Sequence, residues 1–203
     1  MATPITTDLP AYEAIILAGG QGSRMGHVEK GLQVWGGKPL FRHAQALLAH
    51  QSHPPHRIWL NANRHSETYA LCGLTVIADS RAGFAGPLAG MEAGLQACTL
   101  PWLLCIPCDM PLLPIDLAAR LFAAVATGAP AAYAVAADRV QPVCCLLPRT
   151  LLPSLTATLD AGHGKVMGWL SEVGAVPTAF DDARPFRNFN TLADLQGSSE
   201  PTP

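Results

Sequence analysis

Apolar positions along the chain fall into short blocks separated by breaks rich in glycine, proline and polar residues, and two kinds of block alternate. Residues 14–18 (Ala-Ile-Ile-Leu-Ala) and 102–106 (Trp-Leu-Leu-Cys-Ile) are continuously apolar and of strand length, which predicts strands buried on both faces. Residues 57–62 and 75–78 predict the second and third strands, the latter ending at Asp79. Gly36-Gly37 marks a turn, and Pro39 suits the first position of a helix, where its missing N–H does no harm; that helix should run through Leu47 and Leu48. A short helix is predicted near 67–71, and Pro87 opens another through Leu95 and Cys98. Residues 114–125 carry Leu117, Leu121 and Val125 at helical spacing. Further on, 131–136 and 140–147 predict two strands joined at Asp138-Arg139. Residues 151–170 read as helix in pieces, interrupted at Gly162-His163-Gly164. Residues 175–180 and 186–189 predict late strands, and Thr191 begins the last helix.

This alternation predicts an α/β fold: a doubly wound, mostly parallel sheet with helices on both faces, of Rossmann-like character. In such sheets ligands bind at the carboxyl ends of the strands where the strand order reverses. Should the strands at 14–18 and 102–106 be neighbours there, the loops that follow them meet in one crevice. No repeat or linker interrupts the chain, so residues 1–203 are expected to form a single domain with loosely ordered tails at 1–11 and 197–203.

Composition narrows the reading. Apolar residues make up 49% and charged residues 14%, a globular balance; the net charge of -2 supplies no basic field for nucleic acid. Met1 to Pro10 has the features of neither a signal peptide nor an anchor, and the longest apolar stretches are broken by Asp109, Asp116, Arg120 and Asp138. A cytoplasmic protein with no membrane partner is expected. The cysteines sit mostly inside apolar runs, which suits small buried hydrophobes better than disulfides.

The candidate chemistry follows the first strand. Gly19-Gly20-Gln21-Gly22-Ser23-Arg24-Met25-Gly26 contains four glycines in eight residues. Such a loop can turn tightly and present backbone N–H groups to phosphate oxygens. Arg24 and Lys30 add cations suited to a polyphosphate. A Walker A loop is excluded, because the Gly-Lys pairs at 37–38 and 164–165 lack the following Ser or Thr. The Rossmann dinucleotide fingerprint fails too: Met25 occupies the third glycine position, and the second strand ends in Asn61 and Asn63 rather than an acid. Taken singly, other residues allow two readings. Asp109, just after a buried strand, suits a magnesium ligand or a helix cap. Asn61 and Asp79 suit the hydrogen-bonding edge of guanine or ordinary turn chemistry. Lys30 suits a phosphate or solvent, and Asn190 suits the turn before a Thr191/Asp194 capping box.

The order and wording of the motifs carry more. Leu17-Ala18-Gly19-Gly20-x-Gly22-Ser23-Arg24-Met25-Gly26 with Val28-Glu29-Lys30-Gly31 resembles the signature of nucleotidyltransferases that handle an NTP with magnesium. Gly37-Lys38-Pro39-Leu40, Asn61-Ala62-Asn63-Arg64, Gly86-Pro87-Leu88-Ala89-Gly90, Cys108-Asp109 and Asn188-Phe189-Asn190-Thr191 follow in order, from about Tyr12 to Leu195. Within that superfamily the chain is most similar to the molybdenum cofactor guanylyltransferases. The resemblance implies transfer of GMP from GTP to a molybdopterin-type cofactor, with release of pyrophosphate. It implies catalytic roles for Arg24, Lys30 and Asp109, with Mg²⁺ on Asp109. Leu17, Ala18, Gly19, Gly20, Gly22, Lys30, Asn61, Asp79 and Asp109 would bind the nucleotide, and Asn188, Asn190 and Lys165 the acceptor. Where relatives often carry paired arginines, this chain has His163-Gly164-Lys165.

The partners implied are GTP, the cofactor and a receiving apo-molybdoenzyme or its chaperone, with the chain itself a monomer. Competing readings are a cytidylyl- or sugar-phosphate nucleotidyltransferase and a non-catalytic cofactor carrier. Leu17-Ala18-Gly19-Gly20 favours the guanylyl branch, and retention of Arg24, Lys30 and Asp109 together argues for catalysis. His50-x-x-His53-x-x-His56 has metal-like spacing, but Pro54-Pro55 breaks any helix there, and it reads as a loop. Cys105-x-x-Cys108 lacks the second pair that a zinc site would need.

Overall fold

A computed structural model describes residues 9–18, 29–71, 73–81, 86–190 and 194–195. In chain order the elements are β1 (Tyr12–Leu17), β2 (Val34–Trp35), β3 (Lys38–Pro39), α1 (Leu40–Ala49), β4 (Ile58–Asn61), α2 (Ser66–Ala70), β5 (Thr75–Ile77), α3 (Pro87–Ala97), β6 (Trp102–Pro107), α4 (Leu117–Val125), β7 (Ala132–Ala136), β8 (Arg139–Pro148), α5 (Leu152–Asp160), α6 (Val166–Glu172) and β9 (Val176–Phe180).

Among the described residues, seven strands form one sheet in the order β5-β4-β1-β6-β8-β7-β9. β8 runs antiparallel to β6 and β7, and the other pairings are parallel. The mostly parallel α/β sheet inferred from the apolar runs is therefore the fold. Strand order reverses between β1 and β6, because the chain moves outward from β1 to β4 and β5 and then returns to the other side of β1.

β1 shows why continuous apolar runs belong here. Side chains alternate faces along a strand. Ala14 and Ile16 enter one core with Phe41, Leu60, Leu104 and Leu121, whereas Ile15 and Leu17 enter the other with Leu88, Met91, Leu103 and Trp169. Both faces are covered, so each β1 position is buried. β1 also begins two residues before the apolar run, at Tyr12 and Glu13. Glu13 lies buried in the strand because Trp59 Nε1 (2.6 Å), Thr99 Oγ1 (2.6 Å) and Thr99 N (3.2 Å) all donate to its carboxylate.

Four local expectations are revised. Pro39 is not the first helical residue; it is extended (φ -60°, ψ 146°) in the small antiparallel β2–β3 ribbon, and α1 starts at Leu40. Residues 114–116 precede the helix, which starts at Leu117. Residues 186–189 are not a strand. Arg184–Phe186 forms a 3-10 turn with Pro185 near its start, closed by Asp182 Oδ1 accepting from Arg184 N at 2.9 Å. Phe186 and Phe189, three apart, then fill different places: Phe186 packs on Phe180, and Phe189 joins Trp35 and Leu40. Finally, within the 1–11 tail Leu9 packs against the main core. Residues 1–8, 197–203 and Thr191 lie outside the described residues.

Candidate active site

The crevice is built by strand register. Leu17 pairs with Asn61 on one side and Pro107 on the other, so β1, β4 and β6 end level. Beyond the ladders, Ala18 N donates to Asn61 O (2.9 Å), Ala62 N to Ile77 O (3.0 Å) and Cys108 N to Leu17 O (3.1 Å). Leu17 and Ala18 are buried. Gly19, Gly20, Gly22 and Arg24 lie outside the described residues.

Three distant segments meet at this edge. Lys30 Nζ lies 3.0 Å from Asp109 Oδ2 and also donates to Asn190 Oδ1. Phe189 N donates to Asp109 O at 2.8 Å, which holds the Asn188–Asn190 segment against the second residue beyond β6. The Lys30 and Asp109 side chains are 32% and 13% exposed. A half-shielded pair of this kind contributes at most about 1 kcal/mol, so a polyanion or a cation can redirect either charge at little cost.

Lys30 is aimed from below. It opens the 3-10 turn Lys30–Leu32, and a Cβ on Gly31 would sit 2.5 Å from Tyr69 Oη, so the turn crosses that ring only with glycine there. Tyr69 Oη donates to the buried Glu29 (3.4 Å), and Arg64 lies 3.5 Å from Glu29 on the other side. Burial, then the Glu29 charge, pushes the Tyr69 hydroxyl above its ordinary pKa, so it remains a donor. Glu29, Arg64 and Tyr69 were not singled out from the sequence, although Asn61-Ala62-Asn63-Arg64 stands among its motifs.

A second cluster forms where β4 and β5 end. Asn61 Nδ2 donates to Asp79 Oδ1 (2.8 Å) and Ile77 O (3.3 Å). Asn63 Nδ2 donates to Asp79 Oδ2 (2.7 Å), while Asn63 Oδ1 accepts from Asp79 N (2.8 Å). Asn61 is buried, so its amide orients Asp79, and the half-buried Asp79 carries the accessible carboxylate. Asn63 is the added partner; its spacing two residues beyond Asn61 was the available signal.

Beside Asn190 lies a cavity of about 470 Å³, lined by Ala137, Arg139, Gln141, Ala183, Phe186, Arg187, Asn188 and Asn190. Ala137 and Asp138 have φ of 41° and 65°, the left-handed pair that a tight two-residue hairpin needs. This turn places Arg139 at the carboxyl end of β7. Arg187 pairs with Asp194 (2.6 Å), whose other oxygen accepts from Asn190 N (3.1 Å). Arg139, Gln141 and Arg187 escaped the sequence reading. Lys165 is exposed before α6, and the preceding Gly164 carbonyl comes near Gly86 at the start of α3.

The remaining candidates have other partners. His50 Nδ1 bonds the Ala46 carbonyl, and His53 stacks on Tyr12 and contacts the Pro10 carbonyl. Cys105 and Cys108 are buried free thiols whose pKa values burial pushes well up. No group of three or more His, Cys, Asp or Glu that could hold a metal ion occurs among the described residues. Asp109 as a lone carboxylate suits a hard cation that takes its other ligands from phosphate and water. No helix among the described residues is long and apolar enough to cross a membrane.

A mostly parallel sheet with its order reversed at β1/β6 is a doubly wound α/β fold, and a lysine–carboxylate pair stands at that reversal. The chain belongs to the MobA-like NTP transferase family, whose domain matches residues 14–175. It is 44% identical over 196 residues to the molybdenum cofactor guanylyltransferase of Ralstonia nicotianae, covering 92% of this chain and 95% of that one. The protein of the same name from Cupriavidus taiwanensis is 45% identical over 188 residues, covering 90% and 93%. The crystal structure of molybdopterin-guanine dinucleotide biosynthesis protein A from Archaeoglobus fulgidus shares the fold: TM-score 0.73, 20% identity, 91% of this chain and 95% of that one.

Proposed function

We propose that this nucleotidyltransferase moves GMP from GTP to a molybdopterin-type cofactor and releases pyrophosphate. The observation that carries the reading is Lys30, which bridges Asp109, just past the ends of β1 and β6, and Asn190, beside the 470 Å³ cavity. Donor and acceptor then meet at that side chain.

The reaction needs no enzyme nucleophile. A phosphate monoester on the acceptor has its second pKa near 6, so at neutral pH its oxygen is already anionic. That oxygen bonds to the α-phosphorus of GTP as the bond from that phosphorus to the β-phosphate bridging oxygen breaks, and pyrophosphate carries the charge away. The protein must align the two and offset the charge that builds. Lys30, Arg24 and the amides of Gly19, Gly20 and Gly22 grip the triphosphate, with Leu17 and Ala18 supporting that loop. Asp109 would hold Mg²⁺, which would supply Lewis-acid neutralisation of the phosphate oxygens. Asp79, set by Asn61, accepts from guanine N1–H and N2–H. Asn188, Asn190 and Lys165 hold the acceptor, with Arg139 and Gln141 adding polar contacts in a cavity of ligand size.

Pyrophosphate release measured with each of four NTPs, Mg²⁺ and acceptor tests the reading. Release with GTP far above the others is expected. Preference for CTP, or release independent of the acceptor, overturns it. Lys30→Ala should lower turnover by about a hundredfold or more while the protein stays folded, and near-normal turnover would refute the clamp.

A further inference from the structure

Outside the crevice, α3 carries a carboxylate at a position that patterning assigns to the core. Glu92 is 1% exposed. A charge so placed is tolerated only with several donors, and Glu92 has them. Arg81 forks onto it, Nε to Oε2 at 2.7 Å and Nη2 to Oε1 at 2.8 Å. Thr156 Oγ1 donates to Oε1 (2.8 Å) and Ser80 Oγ to Oε2 (3.4 Å). The remaining arm of Arg81 reaches Asp160 Oδ1 at the end of α5 (2.7 Å), and Nη2 also reaches Thr156 O (3.3 Å).

Ser80 and Arg81 directly follow Asp79. β5 is an edge strand of three residues, paired only to β4, and its ladder ends at Ile77. The backbone carrying Asp79 therefore has no strand neighbour to fix it. Asn61 and Asn63 hold the carboxylate from the β4 side, and the Arg81–Glu92 fork ties the next two residues to α3 and α5. A bidentate guanidinium–carboxylate pair restricts both distance and angle, which a single hydrogen bond does not.

We propose that Arg81 and Glu92 are positioning residues for nucleobase selection: the fork sets where the Asp79 carboxylate stands, and so how well the site distinguishes guanine from adenine. The proposal rests on the reading of Asp79 as the base-contacting acid. Loosening the fork should cost guanine recognition while leaving the phosphate grip of Lys30 intact, because Lys30 is anchored through Glu29, Asp109 and Asn190 instead.

Dissociation constants for GTP and for ATP, each with Mg²⁺ and no acceptor, give the discriminating readout by calorimetry. Arg81→Gln should weaken GTP binding about tenfold, the order expected for a sub-ångström displacement of a recognition group, with ATP changed less than about twofold. Arg81→Lys should recover part of the difference. Since Arg81→Gln leaves a buried charge short of donors, the double variant Arg81→Met/Glu92→Met removes both charges and keeps the fold while abolishing the fork. Its GTP-to-ATP ratio should fall as well. A double variant that is folded and keeps the wild-type ratio, while Asp79→Asn lowers it, overturns the positioning role and spares the base reading. If Asp79→Asn also leaves the ratio unchanged, the base reading itself fails and the fork proposal falls with it.

Discussion

Gly90 in α3 tests whether the nucleotide edge depends on close helix–sheet approach. A Cβ built there falls well inside contact distance of Asn61 Oδ1, 2.9 Å from Asn61 Cγ and 2.8 Å from Leu17 Cδ2. Real Cβ contacts do not come closer than 3.0 Å, so in Gly90→Ala something must move. Asn61 is buried and already donates to Asp79 and Ile77, and Leu17 is locked in the sheet. Neither can retreat freely. Alanine favours a helix interior by about 1 kcal/mol over glycine. Against that stand about 1–3 kcal/mol for overpacking and a similar amount if the buried Asn61 amide loses its partner. With both costs the net expectation is a loss of about 1–5 kcal/mol, or a melting temperature lower by about 2–20 °C in a chain of this size. Gly168 in α6 is the matched control: its nearest neighbour would be Lys165 Cβ at 3.8 Å, so Gly168→Ala meets only ordinary contact. It should gain up to about 1 kcal/mol. Urea and thermal unfolding of both variants, with GTP binding to each, provide the comparison. Gly90→Ala melting at or above the wild type, with GTP binding unchanged, would refute the claim that α3 presses Asn61 into place.

Two further outcomes follow from burial and charge. Cys98, Cys105, Cys108 and Cys144 are buried thiols; burial pushes Cys98 up to about 11 and the others further. Native protein at mildly alkaline pH should leave all four unalkylated by iodoacetamide in peptide mapping, and guanidinium should expose them; labelling of native Cys108 at the rate of a free thiol would contradict its placement. Hydrogen bonds from Arg81 hold Glu92 below the usual glutamate pKa. Its ionised form therefore stabilises the fold above the unfolded value of about 4.3, and that contribution is lost as pH falls through the lower folded-state value. Urea unfolding repeated down the acid range should show a steeper loss for the wild type than for Arg81→Met/Glu92→Met, and parallel curves would count against the fork as the source.

Sequence alone determined what depends on neighbours in the chain. The unbroken apolar runs of β1 and β6 predict strands covered on both faces, and the helix breaks at Gly162 and after Leu48 are local chemistry. The ordered motifs marked Lys30, Asp109, Asn61, Asp79 and Asn190 as the residues to watch. Tertiary structure decided which of these meet. Lys30, Asp109 and Asn190 converge because strand order reverses between β1 and β6 and because Phe189 N binds Asp109 O, contacts across 79 and 160 positions that no periodicity encodes. The same holds for Glu13 and Glu92. Pattern reads each as a charge in the wrong place, and both are stable there only because donors arrive from remote segments, Trp59 and Thr99 for one, Arg81 and Thr156 for the other. Propensity acts over a few residues, whereas satisfying a buried charge depends on whatever the fold brings within 3 Å.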